Sequence, residues 1–583
     1  MYDRKTWVVL ALCGTLLAAN IYYSSKNNER LQVERDRLEK LQKDAAPAAG
    51  ATPPAQLTVE APPAPATEET VILESKEVIF TLTNIGGGIK LAEFKNQFQT
   101  GNKKTLVQVN QYRTGPIGTL AGTGETLDNI PYAYEADKSI PGKKAVFTAK
   151  LSSGLIATKT FSLNEGSEAG APYLLNFDLQ LTSAATTPIN LNQWSVFMGE
   201  ATPNNPAEVS QYTGFLWHNG KSMTFKAASS FKGGTFSAAK QRQTSPSDES
   251  ILYAGVTNQF FATVLRPKEP AISSVWGKTR QVPLSGTTTE SPSVFAGLQL
   301  PAVNLDPNQS KTLSYLIFIG PKHNPMLLKM NAQWGDNWGD MIDYGWFWWV
   351  SRPLNWVLNG YHHMFDGVSK SWSWGLAIIF LTITVRTLIW PLHAKSTRTM
   401  KRMSKLQPEM AKIKEKYADD PNKINTETMG LYRKYGINPL GGCLPMFIQI
   451  PIFYGFFSML RYAVELRGHG FLWIDDLSQA DTLHVFHLPF VLPIIGHQLP
   501  INLLPIVMAI TSFLQMRMTP MTGDKMQQNM MKFMPLMFFL FCYNYASALA
   551  LYWTTQNIFG IGQTWLMNKV PEPALKVRTA SDK

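Results

Sequence analysis

The chain has 583 residues, of which 45% are hydrophobic and 16% charged, and it carries a net charge of +12 at pH 7. Its length allows several domains, and its three cysteines, Cys13, Cys443 and Cys542, are too few for a disulfide framework or a zinc site and suggest free buried thiols. The cations lie in the N-terminal arm, between apolar runs and in the tail, which is typical of membrane orientation signals and argues against recognition of a specific nucleic-acid sequence.

The N-terminal segment predicts a membrane anchor. Two cations precede an apolar run from Trp7 to Tyr23, which is long enough to span a bilayer. A cleaved signal peptide fits less well because no small-x-small site follows the run, and a lipoprotein fits less well because a leucine precedes Cys13. We therefore predict an uncleaved signal anchor over 1–24, with its N-terminus inside, and a charged and Pro/Ala-rich linker over 25–70.

Residues 71–330 have the pattern of an exported β domain. Short alternating runs such as YLLNFDLQLT (173–182) are separated by Gly, Asn, Pro and Ser, which predicts an antiparallel β-sandwich. The NIGGGI stretch at 84–89 predicts a tight turn, because neither its spacing nor a following helix fits a nucleotide-binding loop. His218 and Glu200 are isolated polar residues without a catalytic partner in the sequence, so a structural role is favoured for both.

Residues 338–370 are dense in aromatic side chains with polar residues between them. Trp and Tyr favour the headgroup layer, so this segment predicts an amphipathic helix lying along the membrane surface. A buried helix that connects to the soluble domain is the alternative. The closeness of Trp346, Trp348 and Trp349 favours the interface.

Five further membrane spans are predicted in the C-terminal part, residues 372–567. Together with the anchor they make six spans, and the short polar break at 543–547 predicts a tight helical hairpin between the last two. Proline-broken apolar sequence at 484–500 leaves open a re-entrant or interfacial piece before the third of them. The predicted spans are 372–392, 443–462, 491–516, 532–545 and 546–567.

The segment 393–436 indicates the topology. It holds eleven Lys and Arg against five Asp and Glu, so the positive-inside tendency places it in the cytoplasm, in agreement with the basic tail over 568–583. An apolar stripe that includes Leu406 and Met410, followed by a turn, predicts a helical hairpin with a second helix at about 424–435. A solvated loop is one interpretation; the cations in excess of orientation needs favour a docking surface for an anionic partner, such as a ribosome or lipid headgroups.

Arg386 is the residue that most needs explaining, because it lies inside the apolar run at 375–393. Its long side chain could reach the headgroups, or it could face a hydrated cavity in the bundle interior. Thr382 lies one turn earlier on the same face, and other spans carry polar residues that favour the hydrated cavity. These residues are Gln449, Thr511, Gln515, Thr554, Thr555 and Gln556.

Several motifs resemble those of the YidC membrane protein insertase family, in its Gram-negative form. They are YGINPLGGCLPMFIQIPIFYGFF (435–457), VRTLIWPL (385–392) and MQQNMMKFMP (526–535), together with the aromatic segment described above. The resemblance covers essentially the whole chain. It implies a membrane protein with six transmembrane α-helices, of which five form the insertase core with a positively charged groove, and a periplasmic antiparallel β-supersandwich domain.

The resemblance also implies which residues line that groove. It assigns Arg386 as the groove arginine and places Trp553 where a family tyrosine contacts substrate, a change that retains an aromatic ring but removes a hydroxyl. The full set of implied groove residues is Arg386, Thr382, Gln449, Ile450, Phe453, Met508, Thr511 and Trp553.

The function implied is insertion and folding of nascent inner-membrane proteins without nucleotide hydrolysis, alone or with the Sec translocon. No catalytic residue, cofactor or metal is expected; the expected partners are nascent membrane proteins, the ribosome, Sec translocon components and membrane lipids. The expected location is the inner membrane of a Gram-negative bacterium, with both termini cytoplasmic. A transporter or channel with Arg386 as an anion site is the main alternative, although no inverted repeat is visible, and a sugar- or peptide-binding role for the β domain is another.

Overall fold

The computed structural model describes the β domain and most of the C-terminal region. The predicted anchor over 1–24, nearly all of the linker over 25–70 and most of the tail over 568–583 lie outside the described residues. The chain divides after Gly320 into two compact units, which we call the β unit and the helical unit. The described residues are 67–570 and 575, without 100–101, 113, 123–124, 152–153, 192–193, 206–207, 234–238, 248, 285–289, 302, 439, 493–495 and 520–524.

The β unit is built from antiparallel strands. Its described strands are β1 (Thr70–Glu74), β2 (Val78–Thr83), β3 (Gly88–Gln99), β4 (Asn102–Val109), β5 (Leu120–Ala121), β6 (Ala133–Tyr134), β7 (Lys144–Lys150), β8 (Leu155–Leu163), β9 (Leu174–Ser183), β10 (Ile189–Leu191), β11 (Ser195–Ala201), β12 (Gly214–His218), β13 (Met223–Ala227), β14 (Arg242–Thr244), β15 (Ser250–Ile251), β16 (Tyr253–Thr257), β17 (Phe261–Pro267), β18 (Ala271–Ile272), β19 (Val275–Pro283), β20 (Glu290–Gln299), β21 (Val303–Leu305) and β22 (Ser310–Pro321).

Two large sheets form the core of this unit. One has nine strands in the order β13-β12-β16-β17-β22-β9-β8-β7-β6, and the other has five in the order β14-β19-β20-β11-β5. Strands β11 and β20 of the smaller sheet pack against β16 of the larger one, which makes a sandwich. A third sheet has the order β1-β2-β3-β4.

The alternation read in the sequence is visible as burial. In β8, every second side chain from Leu155 to Phe161 is buried, and the ring of Phe161 stacks on that of Phe177 in β9 with centroids 4.7 Å apart. Strand β11 is buried at all seven positions, because both of its faces are covered within the sandwich.

The glycine stretch at 84–89 forms a tight turn, as predicted. Gly86 and Gly87 have φ angles of 72° and 54°, and a Cβ on Gly87 would lie 2.8 Å from the ring of Tyr132. The buried Lys159 donates from Nζ to the carbonyl oxygen of Gly86 at 2.6 Å, and its Nζ lies 4.4 Å from the Tyr132 ring centroid. The glycines therefore serve close packing around the buried amino group of Lys159.

The helical unit contains a set of helices and one β-hairpin. Its described helices are α1 (Asn324–Trp334), α2 (Trp348–Asp366), α3 (Ser373–Leu388), α4 (Trp390–Lys405), α5 (Gln407–Lys416), α6 (Pro421–Lys434), α7 (Leu440–Tyr462), α8 (Leu503–Met518), α9 (Lys525–Cys542) and α10 (Ser547–Lys569). The hairpin strands are β23 (Thr482–Leu492) and β24 (Gly496–Asn502).

The length and composition of the helices bear on whether they can span a bilayer. Within the described parts of the chain, no single helix combines the length and apolar character needed to cross a membrane, whereas α3 and α4 do so as a pair bent by 59°. The bend falls at Ile389, just before Pro391, whose ring and missing N–H prevent the helix from continuing straight. The number of spans therefore stays a prediction.

The structure differs from the predicted span over 491–516. Residues 482–502 contain the β23–β24 hairpin, and the helix begins only at Leu503. Prolines interrupt the preceding segment, and the helix starts where Pro505 can occupy the first turn, in which an N–H is not required.

The aromatic segment over 338–370 is only partly α-helical. It begins with two short 3-10 turns and becomes regular at α2, whose N-terminal neighbour Trp346 is 92% exposed and whose Trp356 is 78% exposed. Such exposure of large aromatic rings is typical of a surface that meets another apolar phase. Its placement in a membrane interface stays a prediction.

Residues 393–436 contain most of α4 and the pair α5 and α6. Asp420 caps α6 by accepting hydrogen bonds from the backbone N–H groups of Asn422 and Lys423, at 3.1 and 3.0 Å. Leu406, from the apolar stripe, is fully buried against Tyr432 and Ile437. The stripe therefore joins the two arms of this segment.

Helix α10 lies at the centre of the helical unit. It packs against α8, α3 and α7, while α2 packs against α3 and α7. Lys401 of α4 is buried and donates from Nζ to the carbonyl oxygen of Met567 at 2.9 Å, which satisfies the C-terminal end of α10. Cys542 is a free, buried thiol, in agreement with the prediction for this cysteine; Cys13 and the side chain of Cys443 lie outside the described part.

Candidate functional site

Arg386 is buried near the C-terminal end of α3, with 6% of its surface exposed. Its Nη1 lies 3.2 Å from Nε2 of His393, and its buried Nε has no hydrogen-bond partner among the described residues. The described residues contain no acidic side chain in ion-pair contact with it. Since a guanidinium carries five N–H donors, Arg386 retains capacity to bind a further acceptor.

Thr382 lies one turn before Arg386 and is 1% exposed. Its hydroxyl donates to the carbonyl oxygen of Ile378 at 2.7 Å, within its own helix. A hydroxyl bonded in this way is satisfied without a partner from another helix. Thr382 therefore contributes a small side chain beside Arg386, and its polar group is already used.

A polar layer joins α7 and α10 beside Arg386. Nε2 of Gln449 donates to Oε1 of Gln556 at 3.1 Å and to the hydroxyl of Tyr552 at 3.4 Å. Arg386 of α3 has the hydroxyl of Tyr552 within electrostatic range, so we count it with this group. We use the name polar layer for Arg386, Gln449, Tyr552 and Gln556.

The ring of Tyr552 holds this layer against α7. It is 1% exposed and stacks on Phe456 with centroids 4.1 Å apart and an interplanar angle of 15°. The ring thus belongs to the apolar core while its hydroxyl faces the amide of Gln449.

An aromatic cluster lies on the neighbouring faces of α7, α9 and α10. Trp553 has ring centroids 5.0 Å from Phe453 and 4.5 Å from Phe538, and Phe453 also lies 6.2 Å from Phe457. Ile450, one turn before Phe453, is 39% exposed. Two adjacent residues of α10 therefore have different surroundings. Tyr552 belongs to the polar layer, and Trp553 belongs to the aromatic cluster.

Met508 and Thr511 belong to the packing between α8 and α10. Met508 is fully buried, and its carbonyl oxygen accepts a hydrogen bond from Nδ2 of Asn557 at 3.2 Å. Asn557 also donates to the hydroxyls of Thr511 and Ser512, at 3.1 and 2.7 Å. The structure thus joins Gln449 to Tyr552, which is an electrostatic neighbour of Arg386, while Met508 and Thr511 are bound to Asn557.

The sequence interpretation missed Tyr552, Asn557 and Phe538 as members of these groups. Tyr552 and Gln556 are four residues apart and so share a helix face, which was the available signal. Asn557 carried only the weak signal of a polar residue within an apolar run. Phe538 looked like any other aromatic residue in such a run.

Glu200 and His218 of the β unit have structural roles. The fully buried carboxylate of Glu200 accepts hydrogen bonds from Arg280 at 2.6 and 2.7 Å and from Ser293 at 2.6 Å, so it is paired rather than isolated. The ring of His218 stacks on Tyr253 and accepts a hydrogen bond from the N–H of its own turn. Across the described part of the chain, no group of three or more His, Cys, Asp or Glu is arranged to hold a metal ion.

Comparison with known proteins places the two units in one family. Residues 364–574 match the family described as 60Kd inner membrane protein, and residues 70–357 match the YidC periplasmic domain. The membrane protein insertase YidC of Syntrophobacter fumaroxidans is 34% identical over 465 residues, covering 79% of this chain and 75% of that protein. The protein of the same name from Pelobacter propionicus is 30% identical over 543 residues, covering 90% of this chain and 91% of that protein.

A solved structure is also similar, a crystal structure of an active YidC insertase with its first transmembrane domain resolved. It is 17% identical and covers 87% of this chain and 95% of that chain, with a TM-score of 0.33. A superposition at this level adds nothing to the sequence matches.

These matches confirm the predicted resemblance, the β-rich periplasmic domain with a helical insertase core, the inner-membrane location and the non-enzymatic nature of the protein. The groove residues, the domain boundaries and the topology stay predictions. The chain belongs to the YidC family of membrane protein insertases.

Proposed function

We propose that the chain inserts nascent membrane proteins through a hydrated, positively charged groove centred on Arg386. The observation that carries this proposal is a buried arginine without an acidic partner in the described residues, in contact with His393 of α4 and with Tyr552 of α10 as its electrostatic neighbour. A buried arginine in such surroundings costs free energy, so its presence is best explained by a role in function. The chain would have six transmembrane helices, five of them in the insertase core, and a periplasmic β-supersandwich domain.

The groove would first attract the polar or acidic tail of a substrate electrostatically. A polar or acidic tail cannot cross hydrocarbon without losing its hydration, and a groove that reaches part of the way shortens the barrier. A carboxylate about 4 Å from the Arg386 guanidinium gains roughly 4 kcal/mol at an effective dielectric constant of about 20, before desolvation is subtracted. The remaining attraction is small enough for the tail to leave again, as a transient docking point requires.

Unpartnered buried polar atoms support hydration of the groove. Besides Nε of Arg386, the side-chain oxygens of Gln449 and Thr554 are buried without a hydrogen-bond partner among the described residues. Buried polar atoms of this kind are normally satisfied by ordered water. Two of the three atoms lie on residues of the polar layer.

The aromatic cluster would receive the apolar part of the substrate. Phe453 and Trp553 offer ring faces, and Ile450 is exposed beside them. Such a surface gives apolar contact without a fixed geometry, which suits segments of different sequence. From there the segment would move sideways into lipid, where a continuous apolar helix is stable.

The partners proposed for this activity follow from charge and from the family. Residues 393–436 present exposed cations on α5, among them Lys412, Lys414 and Lys416, to an anionic surface such as the ribosome or lipid headgroups. The basic tail would assist them. Nascent inner-membrane proteins are the substrates, and the Sec translocon is the proposed partner for larger ones, with both termini in the cytoplasm.

The test uses insertion into vesicles that contain the full chain. Arg386→Ala is expected to reduce insertion of a substrate with an acidic translocated tail about tenfold, which corresponds to about 1.4 kcal/mol, and to change insertion of a strongly hydrophobic substrate much less. Arg386→Lys should retain part of the activity because it keeps the charge.

Lys329→Ala is the control, because Lys329 is an exposed cation on α1 of the same unit and lies outside the segment 393–436. Equal loss for both substrates, or equal loss in the two alanine variants, would refute the role given to Arg386. Flux of a small anion through vesicles without any nascent chain would instead support the transporter alternative.

A further inference from the structure

A strained turn presents apolar side chains near the beginning of α3. Residues Phe471 and Ile474 close it with paired backbone hydrogen bonds of 2.8 and 2.9 Å. Leu472 within it has a φ of 54°, a left-handed conformation that a leucine rarely adopts. Leu472 and Trp473 are nevertheless 55% and 40% exposed, so the strain holds apolar side chains outside the core.

Buried contacts on the inner side of the turn hold it in place. The ring of Phe471 is buried against Gly375 of α3, where an added Cβ would lie 2.2 Å from a ring atom. Ile474 is 4% exposed, and Nε1 of Trp473 donates to Oδ2 of Asp481 at 3.2 Å. The position of the turn is therefore set by the fold, and its exposed tip is a property of the rigid structure.

An open cavity of about 360 Å³ lies beside this turn. Its lining includes Lys370 and Trp372 from the connection between α2 and α3, and His469, Leu472 and Asp475 from the segment that carries the turn. Lys370 and Asp475 are exposed, and within the described residues neither forms an ion pair. The cavity thus offers one cation and one carboxylate to a single occupant.

We propose that this cavity binds the headgroup of a zwitterionic phospholipid of the phosphoethanolamine type. Lys370 would bind the phosphate, and Asp475 would accept hydrogen bonds from the ammonium group. The exposed side chains of Leu472, Trp473 and Trp372 would lie at the boundary between headgroups and acyl chains, the depth that tryptophan favours.

The apolar rim distinguishes a lipid from a free anion. Inorganic phosphate needs cations and N–H donors but gains nothing from exposed leucine and tryptophan side chains. The carboxylate of Asp475 would repel phosphate and would also disfavour an anionic headgroup such as phosphoglycerol. A headgroup that carries both charges, attached to acyl chains, matches all of these features.

The binding test uses the purified full chain in detergent, titrated with short-chain phosphatidylethanolamine, phosphatidylglycerol of the same chain length, and inorganic phosphate, with bound lipid read by native mass spectrometry. Lys370→Met is expected to weaken binding of both lipids about tenfold, because each presents a phosphate. Asp475→Asn should weaken phosphatidylethanolamine binding by a similar factor while leaving phosphatidylglycerol unchanged or slightly tighter. Lys329→Met, at an exposed cation of α1, is the control and should change neither.

The rim is tested separately by Leu472→Asn, because asparagine adopts the left-handed conformation more readily and preserves the turn. This variant should remain as stable as the original chain and bind lipid less tightly. Unchanged lipid affinity in Lys370→Met and Asp475→Asn would overturn the headgroup assignment. Inorganic phosphate binding as tightly as lipid, or unchanged lipid affinity in Leu472→Asn, would overturn the assignment to a lipid.

Discussion

Tyr552 contributes both a buried ring and a hydroxyl, and two substitutions can separate these contributions. The ring stacks on Phe456 at 4.1 Å in the core, and the hydroxyl accepts a hydrogen bond from Gln449 at 3.4 Å. Tyr552→Phe removes only the hydroxyl, whereas Tyr552→Ala removes the ring as well. The two variants therefore measure the polar and the apolar contribution on the same site.

The expected costs differ several-fold. The hydrogen bond is long, and the amide of Gln449 keeps its bond to Gln556 at 3.1 Å, so Tyr552→Phe should lower the free energy of unfolding by about 0.5–1 kcal/mol. The ring is 1% exposed, so Tyr552→Ala leaves a cavity at the centre of the helical unit and should cost about 3–5 kcal/mol.

Denaturant unfolding of both variants in the same detergent measures these costs, with the slope checked for constancy. In the insertion assay, Tyr552→Phe should affect acidic-tail substrates less than Arg386→Ala does, because it leaves the charge in place. If Tyr552→Phe lost as much stability as Tyr552→Ala, the hydroxyl rather than the ring would hold the site. That result would contradict the packing described above.

Three further predictions concern other parts of the molecule. Leu406→Ala should destabilise the α5–α6 pair by about 2–4 kcal/mol, seen as faster hydrogen exchange over that pair with α2 unchanged. Burial lowers the pKa of Lys159 to about 7, so above that pH the unfolded chain binds more protons than the folded chain. The stability of the β unit should therefore rise with pH. Thermal unfolding at about pH 7 and about pH 9 measures this rise, and Lys159→Met should flatten it. Arg280→Met leaves the buried carboxylate of Glu200 without a cation and should cost roughly 3 kcal/mol. Arg242→Met removes an exposed arginine from Glu125, which keeps its second cation, Lys278, and should cost less than about 1 kcal/mol. Similar melting temperatures for the two variants would refute this difference.

Local patterns predicted much of the secondary structure. Alternation identified strands such as β9, and the apolar stripe with its following turn identified the arms that meet at Leu406. These signals are short-range, because side-chain period and turn chemistry act within a few residues. The start of α8 was misplaced, since an apolar run broken by prolines is equally compatible with a hairpin and with a helix.

The site could be predicted only in part. Arg386 could be identified because a charged residue within an apolar run is recognisable from the local sequence alone. Its surroundings were not visible, because the bond from Gln449 to Gln556 joins residues 107 positions apart. The same limit applies to Asn557, which bonds to α8 across 45–49 positions. Pairings of this kind are decided by tertiary packing, which a single sequence does not display.

The resemblance implies a tyrosine where this chain has Trp553, and the different surroundings of Tyr552 and Trp553 indicate what the loss of that hydroxyl would change. Successive residues of a helix point about 100° apart, so one tyrosine cannot serve both the polar layer and the aromatic cluster. In this chain Trp553 contributes a larger ring to the cluster, where Phe453 and Phe538 offer no hydrogen-bond partner for a hydroxyl. Tyr552 meanwhile supplies a hydroxyl beside Gln449 and Arg386. We infer that a tryptophan at position 553 costs Arg386 no polar contact, because the hydroxyl within electrostatic range of the guanidinium belongs to Tyr552.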